Sequence, residues 1–283
     1  MKIPFRSSLA SLAWVALFVG SAPAFAALEL PKPSPSAKVT QTVGLTEISV
    51  EYSSPAVRGR KIWGGLVPYG QVWRTGANAA TKITFSKDVT VGNRPIAAGS
   101  YALFAIPGPK SWTIILNKDF NEVGAFSYKK DLDVLRLEVK PQAIPFRERL
   151  VYLISDFTDN SASVDLEWEK LRVAIPVKMA TSAEAQANIK ALTDTGWMPY
   201  NAAAHYLLAQ KSYAEALKLV DQSLALKEDW QNVWTKAQIL AGEGHYREAY
   251  PLAERAQALG AKAERFFDAD QVKKALTDWK GKR

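Results

Sequence analysis

Between Val39 and Val177 the apolar positions recur at every second residue. Ile48, Val50 and Tyr52 alternate, as do Ile83, Phe85, Val89 and Val91, and then Tyr101 and Leu103. "SWTIILN" (111–117) follows a Pro107-Gly108-Pro109 turn, and Leu135, Leu137 and Val139 alternate after it. "RLVYLISDF" (149–157) is almost continuously apolar, the pattern of a strand buried on both faces. Val164, Leu166 and Trp168 follow the polar turn 158–161, and Leu171, Val173, Ile175 and Val177 close the series. Eight or nine short strands divided by turn residues predict an all-β sandwich or jelly-roll-like domain over 39–178.

After Pro176 the period lengthens. "TSAEAQANIKALTDTG" (181–196) predicts a helix with Thr181 or Ser182 as cap and Gly196 as its end. The chain then repeats itself. An offset of 33 residues aligns Trp197 with Trp230, Ala204 with Ala237, Leu207 with Leu240 and Tyr213 with Tyr246. It also aligns Glu215 with Glu248, Ala216 with Ala249, Leu219 with Leu252 and Leu226 with Leu259. "KSYAEAL" (211–217) and "GHYREAY" (244–250) resemble the second-helix openings of tetratricopeptide-like units, repeats that bind peptides or proteins in a concave groove. Ala216 and Ala249 would let the helices approach closely, and Tyr213 and Tyr246 would fill the turn. Pro251 predicts a kink or a late helix start. Two units are marginal alone, so the preceding helix and segment 263–279 are expected to cap the stack. The fold class that follows is α+β in two parts: the β-sandwich domain at 39–178, then a helical tetratricopeptide-like domain at 181–283.

The N-terminus belongs to neither part. Lys2 and Arg6 precede the apolar stretch Leu9–Val19, and Ala24-Phe25-Ala26 supplies small residues for cleavage. Residues 1–26 thus read as a signal peptide cut after Ala26, and 27–38 as a Pro/Ser-rich linker. No later run approaches the roughly 20 apolar residues of a membrane span, so no transmembrane anchor is expected after cleavage. With no cysteine for a disulfide or a lipid, a periplasmic or secreted location follows.

Charge narrows the partners. The chain carries +8, with 20 basic against 15 acidic residues over 28–178 but 14 against 13 over 179–283. An exported protein with a basic β half meets anionic small molecules and glycans rather than nucleic acid. Mild basicity is equally compatible with a surface that binds nothing anionic. Catalytic motifs are sparse. His205 and His245 are the only histidines, and no cysteine exists to complete a zinc site, so neither metal nor cofactor is expected. There is no Gly-x-Ser-x-Gly elbow and no phosphate-binding loop. Asp131/Asp133 and Asp156/Asp159 lie at strand ends or turns, where Asp is favoured anyway.

The most unusual stretch is "PAVRGRKIWGGLVPYGQVWRTGANAAT" (55–81), because no Asp or Glu occurs between Tyr52 and Lys87. Arg58, Arg60, Trp63, Tyr69, Trp73, Arg74 and Asn78 are its candidate ligand-binding residues. Aromatic faces beside arginines suit sugar rings, and Arg74 could hold a carboxylate with two parallel bonds. The competing reading makes the aromatics core and pairs Arg74 with Glu47, Glu51 or an acid from another strand.

Motifs in this region resemble an exported bacterial family, domain of unknown function 2911. They are Ser-Pro followed by Arg-Gly-Arg, "GGLVPYG", "VWRTGAN", "AGSYALF" and "WTIILNK", with "VLRLEVKPQ" and "LEWEKLRVAIPV" later. The likeness covers roughly 38–178 and implies export and a shared fold, with no activity attached. The expected function is a non-enzymatic binding or interaction protein. It would carry an anionic or glycan ligand on the β domain and dock a protein or peptide on the repeats. The alternative is an envelope hydrolase or transferase using a carboxylate near the Arg/Trp/Asn cluster.

Overall fold

The computed structural model describes residues 30–121, 124–192 and 196–283. The signal-peptide reading, with its cut after Ala26, lies outside the described residues. In chain order the strands are β1 (Ser36–Val43), β2 (Thr46–Ser53), β3 (Thr81–Phe85), β4 (Val89–Val91) and β5 (Arg94–Ile96). Then come β6 (Gly99–Ile106), β7 (Trp112–Asn117), β8 (Asp133–Val139), β9 (Gln142–Ser155) and β10 (Ser161–Met179). They form two antiparallel sheets, β1-β2-β3-β6-β7-β8 and β5-β4-β10-β9.

β10 doubles back on itself. Seven residues of straight strand span about 23 Å, yet Arg172 Nη2 lies 2.7 Å from Asp165 Oδ2. Met179 N–H also donates to the Asn160 carbonyl at 2.9 Å. The reversal falls at Glu169, whose φ of 56° fits the first central residue of a hairpin turn. The two alternating runs on either side of it in the sequence are therefore the two arms of a hairpin.

One core joins the sheets. Ile48, Val50, Ile83, Leu103, Ile114 and Leu116 from the first sheet meet Leu150, Val164, Leu166, Val173, Ile175 and Val177 from the second. Four indoles fill one end of it: Trp63 lies 4.8 Å from Trp112 and 5.8 Å from Trp168, and Trp73 stacks on Trp168 at 6.0 Å. A second cluster of Ala80, Ala102, Phe104 and Ile115 covers the outer face of the first sheet. Hence β6 and β7 are the strands buried on both faces. The expectation for 149–157 is corrected: β9 is a sheet edge, and Leu153 and Phe157 are 39% and 53% exposed.

Six helices follow: α1 (Thr181–Lys190), α2 (Trp197–Ala209), α3 (Tyr213–Leu226), α4 (Trp230–Gly242), α5 (Tyr246–Gly260) and α6 (Ala269–Trp279). The 33-residue offset sets the helix starts, since Trp197 and Trp230 open α2 and α4 while Tyr213 and Tyr246 open α3 and α5. Ala204, Ala216, Ala237, Ala249, Ala253 and Ala256 are all fully buried where helices meet. α5 contains Pro251 and still begins at Tyr246, so the late start is not seen. The proline sacrifices one backbone bond, and the buried Ala249, Tyr250, Ala253 and Ala256 hold the turn around it. α6 caps the stack, with Val272 and Ala275 packed against Val233, Trp234 and Ala253.

α1 is shorter than predicted, and Thr181 does not cap it. The Thr181 hydroxyl instead donates to the Asp159 carbonyl of the β domain. Lys87 pairs with Glu184 beside it. At the same junction Gly44 has φ +58°, and a Cβ there would lie 2.3 Å from Asp159 O, so only glycine allows this approach. In the middle of the helical part, Asp229 and Asn232 form a capping box at α4. Asn232 Nδ2 reaches Ser223 Oγ at 3.0 Å, and that hydroxyl donates to Trp197 O at 2.8 Å, tying three helices together.

Candidate binding sites

The acid-free run stitches the two sheets. Leaving β2, it first pairs with β9: Val57 N–H donates to Glu148 O and Leu150 N–H to Pro55 O. It then returns to β6 beyond the end of β3, where Trp73 and Ala105 exchange two backbone bonds of 2.7 and 2.8 Å. Thr75 secures the crossing. Its hydroxyl donates to Leu103 O, and its carbonyl accepts from the buried Tyr152 phenol of β9 at 3.0 Å. Burial pushes the Tyr152 phenol above its ordinary range.

The seven candidate residues of this run are therefore dispersed. Trp63 is buried among the other indoles, and Trp73 packs beside it. Arg60 turns inward to its own loop, donating to Val57 O at 3.0 Å and Ala56 O at 2.6 Å. Tyr69 is 42% exposed and lies over Gly64. Arg74 is half-buried, and its Nε finds no acceptor among the described residues. The pairing of Arg74 with Glu47 or Glu51 is not formed. Glu51 instead binds Lys82 at 3.1 Å and Lys38 at 3.3 Å, and these hydrogen bonds, Lys82 first, hold its carboxyl below the usual range.

Arg58 and Asn78 do come together, at the arm that precedes β1. Arg58 Nη2 donates to Pro33 O at 3.4 Å and Asn78 Nδ2 to Ser34 O at 3.3 Å. Arg149 of β9, which the sequence does not single out, donates to the same Pro33 oxygen at 3.5 Å and to Ser54 O at 3.2 Å. Beside them is a hollow of about 400 Å³ lined by Lys32, Pro33, Ser34, Ser36, Ser53 and Asn78.

A second site lies on the helices. α2 presents Met198, Asn201, Ala202 and His205, and α4 presents Gln231, Trp234, Thr235 and Gln238. These positions correspond pairwise at the 33-residue offset, and each set follows the i, i+3, i+4, i+7 spacing of one helix face. The hollow between them is about 400 Å³. Trp234 and Gln238 continue into an adjoining hollow of about 340 Å³ with Gln271, Lys274, Ala275 and Asp278, the same stripe on α6. Three buried polar atoms here, Asn201 Oδ1, Trp234 Nε1 and Gln238 Oε1, have no hydrogen-bond partner among the described residues. Exposed Met198 and Phe267 form the rim.

Residues 34–177 match the sequence model of a family described as "Protein of unknown function (DUF2911)". The chain belongs to the DUF2911 family. No curated protein and no solved structure matches it. The DUF2911 match ends at Val177 within β10, so α1–α6 and their groove lie beyond it. Within the DUF2911 part, the quoted motifs fall mainly on the run that joins the sheets and on β6 and β7, which explains their density. Among the described residues no group of His, Asp or Glu is arranged to hold a metal ion. The groove residues were accessible to sequence reasoning through the 33-residue repeat, because Met198, Asn201, Ala202 and His205 align at that offset with Gln231, Trp234, Thr235 and Gln238.

Proposed function

We propose that the chain is an exported, non-enzymatic docking protein of the bacterial envelope, whose helical groove receives an extended peptide segment of a partner protein. The observation that carries this reading is the trio of unpartnered buried atoms along aligned helix faces, two acceptors and one indole donor. Buried polar atoms are nearly always paired in native proteins. An extended peptide offers N–H and C=O groups alternately, and would satisfy all three. The exposed Met198 and Phe267 supply apolar contacts at the rim. Lys274 pairs with Asp278 inside the groove, so a segment of low charge fits best. Export rests on the leader pattern of residues 1–26; no described helix is long and apolar enough to cross a membrane. A hydrolase or transferase acting beside the run would use Glu148, but its Oε1 is engaged by the Arg58 N–H at 2.9 Å.

The test is selection of binders from a displayed random-peptide library on the full chain, followed by affinity measurement on a Met198→Asp/Phe267→Asp variant. Met198 is exposed, while the Phe267 ring meets buried Trp230 at 4.7 Å, so a thermal melt run alongside should show a loss of no more than about 1.5 kcal/mol. Peptide affinity should fall by about 30-fold or more. Unchanged affinity in the variant, or a library that yields no binder, defeats the reading.

A further inference from the structure

The arm-side hollow of the β domain carries a separate inference. Arg58 and Arg149 arrive from different elements and converge on one neutral acceptor, the Pro33 carbonyl, at 3.4 and 3.5 Å. Charge-assisted bonds to oxyanions are shorter, near 2.7–2.9 Å, so the carbonyl is a weak partner for either guanidinium. Lying 3.4 and 3.5 Å from one oxygen, the two donor nitrogens are at most about 7 Å apart, a gap that the two oxygens of one carboxylate or phosphate group can bridge. Among the described residues neither arginine makes an ion pair. Lys32 adds a third cation at the rim, and Ser34, Ser36, Ser53 and Asn78 line the hollow with hydroxyls and an amide. The Glu148 carboxylate beside the turn accepts from the Arg58 backbone N–H at 2.9 Å.

Backbone conformation points the same way. Arg58 has φ 50° and Gly59 φ 68°, and Arg60 N–H closes the turn on Val57 O at 3.1 Å. Both central positions of such a mirror-image turn favour Gly, Asn or Asp. An arginine at the first is disfavoured, so its side chain is the reason for its presence rather than its backbone. Asn78, which lines the hollow beside the two arginines, is also left-handed at φ 59°.

We propose that this hollow binds an anionic saccharide, with the oxyanion between Arg58 and Arg149 and the sugar hydroxyls on Asn78 and the serines. The oxyanion is a carboxylate of a uronic acid or the phosphate of a sugar phosphate. Calorimetric titration of the full chain with glucuronate, glucose 6-phosphate, glucose and inorganic phosphate separates these sources. At least one anionic sugar should bind about tenfold or more tighter than glucose, with affinity falling as salt is raised. Arg58→Gly keeps a residue that the turn prefers, so its melting temperature should hold or rise while anionic-sugar affinity drops at least about tenfold. Asn78→Gly should weaken binding of the sugar more than that of inorganic phosphate. Three results overturn the proposal: no anionic probe binds, glucose binds equally well, or Arg58→Gly binds like the unsubstituted chain. Inorganic phosphate binding as tightly as glucose 6-phosphate overturns the saccharide assignment.

Discussion

Trp63 in the β half and Trp234 in the helical half share two features. Each is at least nine-tenths buried, at 9% and 4% exposure, and each has an indole N–H without an acceptor. Their surroundings differ. Trp63 is packed edge-to-face against Trp73, Trp112 and Trp168, so its N–H is enclosed by other rings inside a closed core. Trp234 stacks on Trp279 at 5.8 Å on one side and lines an open groove on the other. The same residue type with the same unmet N–H is core filling in one half and lines an open groove in the other. The difference lies in packing style. Two sheets close face to face over large side chains, whereas helix pairs meet through alanines and leave one face of the array concave.

The largest expected effect strikes the closed half. Trp168→Ala removes the indole on which Trp73 stacks, from a site 1% exposed, and should cost about 3–5 kcal/mol. Chemical unfolding followed by tryptophan fluorescence would measure it; a loss below 1 kcal/mol would mean that the indole cluster is not the closed core described. In the helical half the sensitivity reverses, and added bulk rather than lost bulk is damaging. Ala249→Leu, at a fully buried helix contact, should destabilise by about 1–3 kcal/mol through overpacking. Thermal melts at a helix-sensitive wavelength would report it, and a neutral result would argue against close helix approach there.

Smaller effects sharpen the contrast. Asp229→Ala removes the α4 capping box and should cost about 1 kcal/mol, read by the same melts. Glu51→Gln on the β surface should cost no more than about 1 kcal/mol, because the Lys38–Glu51–Lys82 cluster is solvent-exposed. Its pH dependence has a definite sign. The Glu51 carboxyl is held below the usual range by its lysines, so its contribution is present above the ordinary carboxylate pKa. That contribution is lost as pH falls through the lowered value. Urea unfolding of both proteins should therefore differ near neutral pH and coincide in strong acid.

Several features could be read before folding because they depend on local periodicity. Alternation at Ile48, Val50, Ile83 and Phe85 marks strand faces, and the pairing of Trp197 with Trp230 and Tyr213 with Tyr246 marks helix starts. The two alternating runs on either side of Glu169 were also visible, whereas the reversal between them came only from the structure. Burial on both faces was misassigned, since "RLVYLISDF" and "WTIILN" look alike in composition while only the second has a packed cluster on its outer face as well as the core on its inner one. The seven residues proposed within 55–81 were adjacent in sequence and dispersed in space. A segment that crosses between sheets sends successive side chains into different environments: Trp63 to the core, Arg60 to its own carbonyls, Arg58 and Asn78 to the arm.

The order of residues alone thus sets the two-part architecture, the family and the phase of the helical repeat, all of which are short-range regularities. Which strand is an edge, which indole is enclosed and which cations share an acceptor depend on contacts between segments distant in sequence. Arg149 illustrates this: it stands 91 residues from Arg58, and only the pairing of β9 with the crossing run brings both to the Pro33 carbonyl. Long-range pairing, not local preference, places charge beside charge.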